Sequence, residues 1–180
     1  MTNDKQGEDF MVFKFYSKMF FLMVFIIMLL SNGSTAGSMT PKDAPDFALE
    51  DLSGNKVTLE QYRGQVVLLD FWATWCPPCL ESIPTLIELQ EKYGEQGFVV
   101  LGVSLDDHIQ FNNGYMKKFK DHFRINYTIV KGEMKVALDY YGDEKMAVPT
   151  AFVINREGEI VDRHVGYSPG VLEKSIKKLL

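Results

Sequence analysis

Apolar residues fall along this chain in three kinds of pattern, and each predicts a different element. Gln65-Val-Val-Leu-Leu-Asp-Phe-Trp72 and Gly97-Phe-Val-Val-Leu-Gly-Val-Ser104 are near-continuous apolar runs, the signature of strands covered on both faces. Residues 80–93 place Ile83, Leu86, Ile87 and Leu89 near one face and stop at Gly94, which predicts a helix. Weaker helical spacing runs over 109–122, and a short helical pattern over 132–141. Residues 47–52 and 56–59 flank Ser53-Gly54-Asn55, and 150–154 and 159–163 flank Asn155-Arg-Glu-Gly158, so each pair predicts a hairpin. Residues 40–46, with Pro41 and Pro45, read as an extended lead-in, and Ser168-Pro169 opens a last helix striped by Leu172, Ile176 and Leu179. Strand, helix, strand, helix, then hairpin and helix make an α/β fold with a mixed central sheet flanked by helices.

Residues 19–30 are different: twelve apolar residues without a break, preceded by Lys14 and Lys18 and followed by the small polar run 31–38. Basic flank, short apolar run and small-residue exit form the layout of a secretory signal, with cleavage after Ala36. A spanning helix wants about 20 apolar residues, so an uncleaved membrane anchor is the second reading. The chain therefore divides into residues 1–36, a signal peptide or anchor, and a domain over 37–180. Export places that domain outside the cytoplasm, in a periplasm or at the outer face of the cell membrane, where a thiol pair can be a disulfide.

Composition narrows the function. At 180 residues, 46% hydrophobic and 24% charged, the chain has room for one packed domain plus the leading segment. Its net charge of −5 opposes phosphate, which argues against a nucleic-acid binder. Two cysteines exclude a disulfide-rich scaffold and the four-cysteine zinc sites.

Those two cysteines stand in Trp72-Ala-Thr-Trp-Cys-Pro-Pro-Cys79, where the first central strand hands over to the first long helix. A thiol beside the N-terminal amides of a helix meets partial positive charge, so thiolate is favoured at Cys76. Cys79, one turn in, is close enough to close a small disulfide ring. Pro77 and Pro78 lack the N–H that a first helical turn leaves unpaired, and they stiffen the ring. Cys76 is thus expected to be the exposed nucleophile and Cys79 the shielded resolving thiol. A static disulfide or half of a zinc site are the competing readings, but His108, His122 and His164 stand at no ligand spacing. Leu80 after the second cysteine excludes c-type haem attachment.

The segment from Leu68 to Cys79 resembles the active-site segment of thioredoxin-like proteins. With Ala44-Pro-Asp-Phe47, the hairpin after it and the export signal, the chain resembles the TlpA/ResA-like (redoxin) branch of exported thiol–disulfide oxidoreductases, from about Asp43 to the C-terminus. The resemblance implies a thioredoxin fold with an N-terminal β-hairpin extension and a central helical insertion. It implies that Pro149 in Val148-Pro149-Thr150 is a cis-proline facing the disulfide, with Val148 offering backbone hydrogen bonds to a substrate strand. Pro84 matches the proline that kinks the active-site helix. Asp70, six residues before Cys76 in an apolar strand, matches the buried acid that helps move the proton of the resolving thiol; the alternative is an Asp capping a loop. Burial should raise its pKa, as a base working near neutrality requires. Asp107 stands where ResA-like members carry an active-site acid, with Asp106 beside it; a helix N-cap explains either equally well. Trp75, Pro77, Pro78, Val148 and Thr150 are the expected docking residues, and Trp72 belongs to that face or to the core.

The resemblance implies an enzyme that exchanges a Cys76–Cys79 dithiol with protein thiols and disulfides, needs no cofactor beyond that pair and takes electrons from a membrane thiol donor. It suggests a reductant, for instance in cytochrome c maturation, acting as a monomer that touches the membrane only through its N-terminal segment. Two other classes compete. A thiol peroxidase of peroxiredoxin type shares the hairpin but sets Thr or Ser three residues before the reactive cysteine, where this chain has Ala73. A copper-binding chaperone would use both thiolates on soft Cu(I), with three residues between its cysteines where this chain has two.

Overall fold

The computed structural model describes residues 42–106 and 112–180. The N-terminal segment and Asp107 therefore lie outside the described residues. Among the described residues, eight strands and four α-helices follow one another: β1 Lys42–Asp43, β2 Ala48–Glu50, β3 Lys56–Thr58, β4 Val66–Trp72, α1 Pro77–Tyr93, β5 Phe98–Ser104, α2 Asn113–Phe123, β6 Thr128–Lys131, α3 Met134–Tyr141, β7 Thr150–Ile154, β8 Glu159–Val165 and α4 Pro169–Lys177. Six strands form one mixed sheet in the order β1-β8-β7-β4-β5-β6, and β2 and β3 pair separately as the N-terminal hairpin. β4, β5 and β6 run parallel, while β7 is antiparallel to β4 and to β8.

β4 lies in the middle of this sheet, and every one of its residues is buried. Side chains alternate across a strand, so β4 feeds two cores. Val66, Leu68 and Trp72 join Ile83, Leu86 and Leu89 of α1, Met116 of α2 and Leu172 and Ile176 of α4. Val67, Leu69 and Phe71 join Leu49 and Val57 of the hairpin and Val136, Tyr140 and Tyr141 of α3. Asp70 shares the first face with Leu68 and Trp72, the face that α1 covers. Fully burying a Leu, Val or Phe side chain stabilises by about 1.5–3 kcal/mol, so β4 and β5 are the best-anchored part of the domain.

Two differences from the sequence pattern bear on the site. The first long helix begins at Pro77 rather than Leu80, because Cys76 caps it and Pro77 and Pro78 occupy its first turn. The four-residue strand β6, which the pattern did not indicate, pairs with β5 at the sheet edge.

Candidate active site

The chain leaves β4 at Trp72 and makes one turn before α1 starts. The amide of Cys76 donates to the Ala73 carbonyl at 3.2 Å, which closes that turn around Thr74 and Trp75. Cys76 is the N-cap of α1, and its sulfur accepts the Cys79 amide at 3.3 Å. The two cysteines form a disulfide with their Cα atoms 5.3 Å apart. A sulfur in an N-cap position faces the positive end of the helix dipole, and cleavage of the disulfide would leave a Cys76 thiolate there.

Exposure differs from the expectation for Cys76. In this oxidised state Cys76 is 3% accessible and Cys79 1%. The Cys76 sulfur is bonded to Cys79 and accepts the Cys79 amide, and the residue is buried. What faces solvent is its surroundings: Trp75 is 60% accessible, and Pro77 and Pro78 are exposed. Trp72 is core, its ring 5.5 Å from that of Phe119.

Asp70 lies on the cysteine face of the sheet, flanked in register by Gly102 on β5 and Ala151 on β7. Burial pushes its carboxyl up to about 7, and no cation sets that back. Space on this face comes from the missing side chain of Gly102, since a Cβ there would sit 3.0 Å from Trp72 Nε1 and 3.2 Å from the Tyr127 ring. Burial, and secondarily the Asp70 charge, hold the Tyr127 hydroxyl well above its ordinary pKa. Asp70 is therefore a carboxyl in a dry, uncharged setting, able to hold or release a proton near neutral pH.

The Val148–Pro149 peptide is cis. Its loop is fixed from both sides. The Ala147 carbonyl accepts the Tyr141 hydroxyl at 2.5 Å and the Thr150 hydroxyl at 2.8 Å, and the Pro149 carbonyl accepts the Gly166 amide at 2.8 Å. Val148 packs against the cluster that holds both cysteines. Thr150, expected at the docking face, is instead fully buried, and its hydroxyl is spent on Ala147. It belongs to a strand covered on both faces and fixes the loop through its bond to Ala147.

Asp106 is buried where β5 ends, and its carboxylate reaches the turn before Cys76. Thr74 donates its amide, at 3.2 and 3.1 Å to the two oxygens, and its hydroxyl at 2.7 Å; Ser104 donates its hydroxyl at 2.6 Å. The helix N-cap reading does not describe it, since α2 is capped by the Asn112 side chain. Thr74, Ser104 and Tyr141 carry no motif and are missed from sequence. The Ser-x-Asp spacing at the end of an apolar strand is the one cue to the first two.

Comparison with known proteins agrees with this geometry. Residues 41–163 match the AhpC/TSA family. The chain is 33% identical over 130 residues to the thioredoxin-like protein YneN of Bacillus subtilis, covering 72% of this chain and 74% of that one. It is 30% identical over 139 residues to the thiol-disulfide oxidoreductase ResA of Bacillus thuringiensis, covering 77% of each. A Chlorobium tepidum structure assigned as the thiol:disulfide interchange protein DsbE superposes with a TM-score of 0.68 at 35% identity, over 79% of this chain and 99% of that one. The chain belongs to the AhpC/TSA family, and with its cysteine pair at the head of α1 in a thioredoxin fold it is a thiol–disulfide oxidoreductase of the ResA and DsbE type.

Proposed function

We propose that this oxidoreductase works outside the cytoplasm as a reductant of protein disulfides, an apocytochrome c on its way to maturation being one target class, and that a membrane thiol donor recharges it. Its basic-flanked apolar segment over residues 19–30 supports export, with cleavage after Ala36 or retention as an anchor. What supports the reaction is the Cys76–Cys79 disulfide at the head of α1, with Asp70 buried on the sheet face whose core includes both cysteines and its carboxyl raised by that burial to about 7.

In the reduced enzyme the Cys76 thiolate attacks a substrate disulfide. A Cys76–substrate bond forms, the substrate S–S bond breaks and one substrate sulfur leaves as thiolate. The Asp70 carboxylate then takes the proton of Cys79. The Cys79 thiolate attacks the Cys76 sulfur, closing the ring and releasing the second substrate sulfur. Two electrons have passed from enzyme to substrate. The substrate lies against Trp75, Pro77, Pro78 and the backbone of Val148, beside Pro149. Every group in these steps comes from one chain, so a monomer suffices.

Equilibrating the protein with glutathione or dithiothreitol and counting free thiols tests the direction. A potential near or below about −270 mV supports a reductant, and one near about −120 mV makes the protein a disulfide donor. Absence of any reversible two-electron couple would remove the reading and turn attention to metal binding by the two thiols.

A further inference from the structure

The parallel register of β4 and β5 pairs Trp72 with Ser104 at the last position of each strand. The Leu105 amide then donates to the Trp72 carbonyl at 2.8 Å, carrying the ladder one step past the strands. As a result, the segment after β5 lies against the segment after β4, which is the turn leading into Cys76. Asp106 comes from the first and holds the second. Both its oxygens accept, one mainly from Thr74 and the other from Ser104 at 2.6 Å, and the residue is only 5% accessible.

We propose that Asp106 is a positioning residue for Cys76, acting through Thr74; this rests on the thiol–disulfide reading and extends it. Thr74 occupies the centre of the turn closed by the Cys76 amide. With its amide and hydroxyl both tied to one buried carboxylate, the turn has a single arrangement, in which Trp75 points outward and Cys76 caps α1. The disulfide enforces that arrangement in the oxidised enzyme. In the reduced enzyme the ring is open, and Asp106 keeps the Cys76 sulfur at the helix amides that stabilise its thiolate. Asp106 therefore supports the reactive state without touching sulfur. A carboxylate acting through its charge alone would do the opposite, since a nearby negative charge disfavours a thiolate.

The test is the iodoacetamide alkylation rate of Cys76 at pH 7 in the reduced protein, together with the reduction potential. Losing a helix-end interaction of ordinary size lowers thiolate population about fivefold, so Asp106→Ala should slow alkylation about fivefold. The same fivefold change in the redox equilibrium lowers the potential by about 20 mV. Thr74→Val should shift both in the same direction by less, and the double variant should be no worse than Asp106→Ala, because the two act as one unit. Asp106→Asn keeps one acceptor and should fall between. Unchanged or faster alkylation in a folded Asp106→Ala protein overturns the proposal. If that variant does not fold, wild-type rates in both Thr74→Val and Asp106→Asn overturn it. A wild-type protein with no two-electron couple would instead sink the oxidoreductase reading, so the two failures are distinguishable.

Discussion

Asp70→Asn is the sharpest perturbation of the core, because its consequence for stability has a definite sign and pH window. Burial raises this carboxyl from 3.8 to about 7. The folded protein therefore holds a proton that the unfolded chain releases, and stability falls as pH rises through that interval. At 1.36 kcal/mol per pH unit the full span amounts to about 4 kcal/mol, and the part between pH 5 and pH 8 to about 3 kcal/mol. This stabilisation is fully present below about pH 4 and gone above the folded pKa. Asn has nearly the shape of a protonated Asp and does not titrate, so the variant should lack this fall. Urea unfolding of the oxidised protein at pH 5, 6, 7 and 8 measures it. Wild type should lose about 3 kcal/mol more than Asp70→Asn across that range, and the variant should be the more stable protein at pH 8. Parallel pH profiles for the two proteins would refute the claim that Asp70 carries a raised pKa, and with it the proton-transfer role.

Two further changes probe the scaffold of the site. Tyr141→Phe removes the hydroxyl that holds the Ala147 carbonyl and should lower unfolding stability by about 1 kcal/mol. It should also raise KM for a protein disulfide while leaving Cys76 alkylation unchanged. A Cβ at Gly132 would come within 2.5 Å of the Ser104 carbonyl, so Gly132→Ala should cost about 1–3 kcal/mol in urea unfolding and push β6 away from the end of β5.

Much of the architecture was legible because β4 and β5 are continuous apolar runs and α1 has a clean stripe ended by Gly94. The cysteine pair was legible because the strand-to-helix junction is written in the order of residues. The rest depends on pairing between distant segments. β6 is four residues long with only Ile129 and Val130 buried, too short for a periodicity to form. The tie from Asp106 to Thr74 spans 32 residues and exists only because β4 and β5 end in register. Thr150 looked like a docking residue from its place after Pro149, yet β7 is covered on both faces and every one of its residues is buried. The burial of Cys76 depends on the packing around the ring, which motif spacing does not encode.

The proposed reaction depends above all on the division of labour between the two cysteines. Reduced Cys79→Ser protein, incubated with a disulfide-bonded substrate protein and run without reductant, should accumulate a covalent adduct through Cys76 that dithiothreitol releases. Cys76→Ser should form none and show no exchange activity. Full dithiol exchange by Cys76→Ser, or equal trapping by both variants, would contradict the assignment of Cys76 as nucleophile and Cys79 as resolving thiol.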